Sequence, residues 1–413
     1  MSKKVYVAGG GAAGMCAAIY AARNGADVTI IEKNTILGKK LSVTGNGRCN
    51  LTNLDMRPEY YNKAAVGRMR NWLSLYGPEE TIKFFKSLGV IVKSEEGYIY
   101  PISGQAFTVV NALINELKRL GVTVITQSQV KAVKKAENDE SPYILVTNKD
   151  KYNADAVILA LGSLSGAKST MSTGDGYYIC KQLGMDFKDT YPALVGFKCE
   201  DDGTMPDAGV RAAAEISFYL GEELITSECG ELQISKDGIS GIPVMQASRE
   251  IIKFVTEKKP VVASVDFFHD YDEGDFEALK LDMLKLRDNR TLEEFLLGFA
   301  NSNINSIVLK KMKLSPTMRM KNIAESMVLC ILDRYRDIRF NLTDSYGFIQ
   351  SQVTTGGMSL GDIGDDMSVV GMPGVYCAGE LLDVDGRCGG YNLQFAWTSG
   401  SIAGTAASEQ IKE

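Results

Sequence analysis

Histidine is almost missing. The chain of 413 residues holds one, His269. A His-rich metal site is therefore excluded, and a Ser-His-Asp triad would have to use that residue. His269 stands in VDFFHDY, at the end of an apolar strand-like run, and reads as structural. No C-x-x-C pair occurs among the eight cysteines (Cys16, Cys49, Cys180, Cys199, Cys229, Cys330, Cys377, Cys388). That pattern fits free thiols in a reducing cytoplasm, not a disulfide framework. Runs of about 18 apolar residues are absent, so no transmembrane helix is expected. The opening MSKKVYVAGGGAAG lacks the apolar core and cleavage site of a secretory signal. An excess of positive charge is lacking too. A net charge of −6 and a pI near 5.3 give no general attraction to nucleic acid or to an anionic membrane. Internal repeats and low-complexity segments do not occur. Apolar content of 45% and charged content of 23% are those of an ordinary globular protein. The length exceeds a typical single core, so two or three domains are expected.

What is present is glycine in patterned places. Lys4 to Ala8 reads as a strand, Gly9 to Gly14 as a tight loop, and Ala12 to Asn24 as a helix with Gly25 at its end. Asp27 to Ile31 reads as a second strand, with Glu32 at its C-terminal end. Gly9-Gly10-Gly11-Ala12-Ala13-Gly14 fits G-x-G-x-x-G. The first glycine permits the turn, the second lets the backbone approach a pyrophosphate, and the third allows close helix–strand packing. The helix N-terminus then stabilises the phosphate charge. Glu32 lies where an acid accepts hydrogen bonds from ribose hydroxyls, and it would repel a 2′-phosphate. Dinucleotide binding follows.

Glycine returns far downstream, in Thr354-Thr355-Gly356-Gly357, in GVYCAGE up to Glu380, and in GRCGGYNLQ from Gly386 to Gln394. A second glycine loop that opens the last helix brings the C-terminus back to the ligand. A long, two-ended ligand explains both regions, which favours FAD over NAD. Tyr391, Asn392 and N–H groups near the start of the last helix could reach the flavin's pyrimidine edge. Between the two ends lies LSVTGNGRCNLTN, residues 41–53. Its glycines let backbone donors approach the ligand, while Ser42, Thr44, Asn46 and Asn50 can bond ribityl and phosphate oxygens. Arg48 could neutralise phosphate or hold an anionic substrate. Cys49 and Cys388 each fall in a cofactor loop and, without C-x-x-C spacing, read as small inert residues and not as a redox pair.

Along the rest of the chain, Pro78 to Leu88 and Val109 to Leu120 have helical period. Val122 to Thr126, Val130 to Val133, Tyr143 to Thr147 and Asp155 to Ala160 read as strands, the last a buried parallel one. From about Pro192 the pattern becomes mostly β: Val195 to Cys199, Ala214 to Tyr219, Glu231 to Ile234 and Val261 to Phe267. Phe276 to Arg336 is helical and basic, and Phe395 to Ile411 is a small-residue-rich final helix. The ends of the chain thus form one nucleotide-binding domain, with the middle inserted.

The residues quoted so far resemble the BaiN/YhiN-like flavoproteins, the aminoacetone oxidase family of FAD-binding enzymes. The resemblance is carried by GGGAAGMCAAIYAARNGADVTIIEKN, LGKKLSVTGNGRCNLTN, TGDGYYICKQLG, DGISGIPVMQAS and GVYCAGELLDVDGRCGGYNLQFAWTSGSIAG. It implies an α/β fold: a Rossmann-like FAD-binding domain interrupted by a β-barrel-like domain that carries a small helical subdomain. The boundaries expected are 1–192 and 354–413 for the FAD domain, 193–275 and 337–353 for the β-rich domain, and 276–336 for the helical subdomain. The cofactor set implied is Gly9, Gly11, Ala12, Ala13, Gly14, Glu32, Lys33, Lys40, Thr44, Gly45, Asn46, Gly47, Arg48, Cys49 and Asn50. It continues with Val130 (adenine, through its backbone), Ala160, Gly162, Asp175, Gly379, Glu380, Gly390, Asn392 and Leu393. Three positions depart from the family pattern. Leu161 and Cys388 replace threonine, and Lys236 replaces a histidine, which removes a possible acid/base group.

The function expected is that of a FAD-dependent oxidoreductase in which NAD(P)H reduces a non-covalent flavin and an activated, enone-like C=C receives the hydride. No second G-x-G-x-x-G exists, so the nicotinamide would dock transiently. The substrate is expected at the junction of the FAD and inserted domains. Alternatives are an oxidase of a small amine or aminoketone, and a non-catalytic redox sensor or RNA-associated protein, the latter resting on Lys310, Lys311, Lys313, Arg319 and Lys321. Arg48, Arg387 and Tyr391 are the candidate catalytic residues. The partner expected is a small molecule, with neither nucleic acid nor membrane; no metal is expected.

Overall fold

Lys4–Ala8, KVYVA, carries Val5, Val7 and Ala8 with no exposed surface, as a strand covered on both faces requires. In the computed structural model, which describes residues 2–136, 141–166, 170–206 and 208–409, it lies inside a six-stranded sheet. The order is Ser368–Val369, Met372–Cys377, Ala156–Leu159, Lys4–Ala8, Asp27–Ile31, Thr123–Ile125. All pairings are parallel except that of the short edge strand Ser368–Val369. Val7 lies opposite Ile158 on one side and Ile30 on the other. The strand order reverses next to Lys4–Ala8. Its C-terminal end is thus a switch point, where ligands of open α/β sheets bind.

The glycine-loop helix, Ala12–Arg23, buries eight of its residues. It packs along the last helix, Tyr391–Ser408, and small side chains make that approach close. A Cβ on Gly400 would lie 2.6 Å from the Ala13 carbonyl oxygen, and one on Gly404 would lie 2.2 Å from that of Ala17. The last helix starts one turn earlier than its periodicity predicts, because Gly390 (φ +96) can serve as its N-cap. Ile411, placed in this helix by its pattern, lies outside the described residues.

The chain divides into two units, Met1–Pro192 with Gln352–Glu413, and Ala193–Ser351. In the second, six strands close into a barrel: Phe197–Cys199, Gly238–Gly241, Glu223–Ile234, Val210–Leu220, Val261–Asp266 and Ile338–Ser345. The stretch from 193 to 275 is less purely β than its pattern predicts. DGISGIPVMQAS ends a strand at Gly241 (φ +103) and opens a 15-residue helix, Ile242–Thr256. Pro243 in the first turn suits a helix start, and Val244, Ala247, Ile251, Ile252 and Val255 are buried. Glu273–Lys285, Leu292–Leu296, Ser302–Lys311 and Glu325–Asp333 supply the helical part. Its aromatic core joins Phe268, Phe276, Phe299 and Tyr335. His269 sits beside it, its Nε2 3.4 Å from Asp270. Lys311 is not a free cation: it bonds Asp202 at 2.8 Å and covers the Phe340 ring.

Candidate functional site

The turn after the first strand is built as its glycines require. Gly9 has φ +106, and a Cβ there would stand 2.3 Å from the Ala160 carbonyl oxygen. A Cβ on Gly14 would stand 1.9 Å from the Gly9 oxygen, so both positions demand close backbone approach. Gly11 is different, with nothing within 4 Å of its Cβ position. Open space therefore lies over the N-terminus of Ala12–Arg23, which no side chain caps. Glu32 is buried and held rigidly. Its Oε2 accepts from Gly10 N at 2.8 Å, and its Oε1 accepts from Asn34 N and Nδ2 at 2.7 and 2.8 Å. Ser128 N donates to the Glu32 carbonyl at 3.0 Å and brings the segment before Val130 alongside. Val130 is buried and opposes Thr147 in its own hairpin. Lys33 reaches Asp175 at 2.7 Å and Thr173 at 2.6 Å. Gly162 (φ +70) faces open space.

Leu41–Gly47 folds into two short 3-10 turns across a kink, and Thr52–Asn53 forms a short strand. Gly45, Asn46, Gly47 and Cys49 all have positive φ. Thr44 Oγ1 donates to the Leu41 carbonyl and Cys49 N to the Thr44 carbonyl, so part of the polarity serves the loop itself. Arg48 is spoken for. Its Nη2 donates to Glu95 at 2.6 Å and its guanidinium lies 4.1 Å from the Tyr100 ring centroid. The sequence left it open to phosphate or substrate; the structure gives it an acidic partner. Cys49 is fully buried, and burial pushes its thiol up to about 12.

The downstream loop closes the site. Gly379 (φ +73) donates its N–H to Ser399 Oγ at 2.9 Å. Glu380 Oε2 accepts from Lys40 at 2.6 Å, and its Oε1 from Ser165 Oγ at 2.8 Å and Thr354 N at 3.2 Å. Lys40 also donates to Ser165 Oγ at 2.5 Å. Two residues expected to reach the flavin also shape the loop. Asn392 accepts from Gly386 N at 2.8 Å and donates back to the Gly386 carbonyl at 2.9 Å. Tyr391 donates its hydroxyl to the Asp55 carbonyl at 3.1 Å and packs edge-on against Tyr60 and Tyr61. Burial pushes its phenol up to about 12. Arg387 lies 5.6 Å from the same Tyr60 ring. The structure thus gathers Arg387 and Tyr391 about Tyr60, while Arg48 stands on Tyr100. Leu393 packs partly buried against the core. Gln394, without exposed surface, accepts from Thr52 and Thr81 and donates to Thr398 and the Tyr76 carbonyl, which fixes the first turn of the last helix.

Several buried polar atoms lack protein partners here: Asn34 Oδ1, Ser128 Oγ and Asn50 Oδ1. A Cβ on Gly390 would lie 3.0 Å from that Asn50 oxygen. Buried polar atoms are seldom left unpaired, so these atoms, together with the open floor at Gly11, fit a bound flavin dinucleotide. Sequence reasoning did not single out Ser163, Ser165, Asn34 or Ser128, which the structure sets beside Glu380 and Glu32, nor Asn62, Asp383 and Asp385, which it joins in one cluster. Asp383 and Asp385 stood in the GELLDVDG block, so that signal was available. Among the described residues no His/Cys/Asp/Glu group could hold a metal ion.

Comparison with known proteins agrees with this construction. Residues 3–406 match the family described as HI0933-like protein Rossmann domain. A 3-dehydro-bile acid delta(4,6)-reductase from Clostridium scindens is 36% identical over 410 residues, which cover 98% of this chain and 99% of the relative. A ribosomal RNA dihydrouridine synthase from Haemophilus influenzae is 27% identical over 429 residues, 98% of each chain. The crystal structure of a 3-ketosteroid-delta4-(5alpha)-dehydrogenase from Rhodococcus jostii RHA1 shares the fold, with a TM-score of 0.52 and 17% identity over 99% of this chain and 97% of its own. With the match running from its first strand into its last helix, this chain belongs to the HI0933-like family and is a flavin-dependent oxidoreductase built on a Rossmann-type FAD-binding domain.

Proposed function

We propose that this protein reduces a carbon–carbon double bond conjugated to a carbonyl in a small molecule, with non-covalent FAD and with NAD(P)H as a transiently bound donor. The carrying observation is end-to-end similarity, at 36% identity, to a reductase whose name specifies such a bond in a 3-oxo bile acid. FAD, when bound, supplies the hydride. Gly9 to Gly14 and the uncapped helix behind them would hold its pyrophosphate, and Glu32 its ribose hydroxyls. Asn34, Ser128, Val130, Lys33 and Asp175 would surround the adenosine. Lys40, Ser165 and Glu380 would take the ribityl chain, and Asn50 with the Gly386–Gly390 loop the isoalloxazine edge. The single histidine lies in the second unit, which supports a flavin without a histidyl bond. The absence of disulfides among the described residues supports a cytoplasmic location.

The ribosomal relative favours a second reading of the same chemistry, because the C5=C6 bond of uracil is also conjugated to a carbonyl. Its lower identity and the pairing of Lys311 with Asp202 place it behind the first. Anaerobic stopped-flow absorbance decides. We expect NADH or NADPH to bleach the flavin and a 3-oxo-Δ4 steroid to restore its colour. Recovery with unmodified ribosomal RNA alone would favour the second reading. Bleaching by aminoacetone, with no recovery on either acceptor, would overturn both in favour of an amine oxidase. Acid precipitation should leave the flavin in the supernatant.

A further inference from the structure

Two carboxylates stand one residue apart in the loop between Glu380 and Gly390, whose two ends are both assigned to the cofactor. Asp383 is 8% exposed and Asp385 1%. Asn62 clamps the pair: its Nδ2 donates to Asp383 Oδ1 at 3.0 Å, and its backbone N donates to the Asp385 carbonyl at 2.9 Å. Thr355 Oγ1 donates to Asp385 Oδ2 at 2.8 Å. Taking two neighbouring carboxylates out of water disfavours the doubly charged state. Burial pushes the Asp383 carboxyl up, and the charge of Asp385 adds to this. The Gly356 N–H, Lys188 and the Asn62 amide oppose it without reversing it.

Reduction of a conjugated C=C needs a proton as well as a hydride. Three other proton-bearing groups of the site are committed. The Tyr391 hydroxyl is bonded to Asp55, the Cys49 thiol is sealed in the core, and Lys40 is held by Glu380 and Ser165. Resting on the reduction argued above, we propose that Asp383 is the acid that protonates the carbon α to the substrate carbonyl. The β carbon receives the hydride. The π pair of the double bond then forms the new C–H bond at the α carbon with the Asp383 proton. Asp383 is left as a carboxylate and regains its proton from water. NAD(P)H supplies the two electrons.

The test separates the half-reactions of the holoenzyme. In Asp383→Asn, recovery on the acceptor should slow far more than flavin bleaching by NADH. Recovery on 4-androstene-3,17-dione slows by roughly 100-fold or more, the size expected for a lost general acid. Asp385→Asn removes the neighbouring charge and moves the alkaline limb of the recovery rate to lower pH, which a merely structural role would not do. Infrared difference spectra of the apoprotein at mildly acidic pH should show a protonated-carboxyl band that Asp383→Asn abolishes. Recovery at the wild-type rate in Asp383→Asn, or a band that survives the substitution, overturns the proposal and leaves the reductase reading standing. If the wild-type flavin does not recover on the steroid although the band is present, the reductase reading has failed and the proposal falls with it.

Discussion

At the scale of single residues, environment decides which groups of the site react. Cys49 carries a thiol pushed up to about 12 by burial, whereas Cys229 and Cys330 are exposed. Thiolates, not thiols, are alkylated. Iodoacetamide at mildly alkaline pH should therefore label Cys229 and Cys330 in the native protein and spare Cys49. Peptide mass mapping that finds Cys49 labelled at the same rate would show that the loop opens. Asp383 makes the opposite kind of prediction. Its folded-state carboxyl titrates above the unfolded value, so its stability contribution is complete below the ordinary carboxylate range. It is lost as pH rises through the raised value. Urea midpoints of the wild type should fall across that window, and those of Asp383→Asn should stay level and lie higher at neutral pH. Residue types were readable in advance, but their partners were not. Nothing local to Arg48 announces Glu95, and Tyr391 looks equally free beside a flavin or tied to Asp55.

Elements were the most legible scale, because periodicity and glycine position are local properties. The opening strand, loop and helix match their pattern, and so does the run Ala156–Leu159, whose four residues are all buried. The helix Ile242–Thr256 escaped, because its start is written in glycine and proline that read equally well as a turn. The Lys40–Ser165–Glu380 cluster escaped for another reason: its members are 125 and 340 positions from the lysine, and no window spans them. The contact between the first and last helices is the element-scale feature most open to challenge. Gly404→Ala would drive a methyl group toward the Ala17 carbonyl. Overpacking of this kind costs about 1–3 kcal/mol. Chemical denaturation of the apoprotein should show that loss together with weaker flavin retention, since the same helix presents the Gly390 end of the site. An unchanged midpoint would mean that the two helices part easily.

For the whole molecule, the composition excludes more than it identifies: a net charge of −6 leaves the substrate open, and similarity to relatives supplies the chemistry. The first unit is drawn from both ends of the chain, and its cofactor would bridge them. A ligand bound only by the folded state adds stability by mass action, about 2.7 kcal/mol at a hundred times its dissociation constant. Added FAD should raise the melting temperature of the apoprotein in a concentration-dependent way, followed by scanning fluorimetry. A melting temperature indifferent to FAD would count against the assigned site.

That both ends meet has a consequence for synthesis. Cys16 of the first helix donates to Trp397 of the last across 381 positions of sequence. At roughly 5–20 residues per second, a ribosome needs on the order of 20 to 80 s to travel that far. Throughout this interval the glycine loop and its helix wait with one flank bare, while the barrel strands emerge and can close first. The nucleotide site is finished only when the helix Tyr391–Ser408 emerges, 381 positions after the fingerprint helix it packs against has been made. A nascent chain therefore cannot capture its flavin early, and a message cut short before the last helix yields a protein with the motif and without the site.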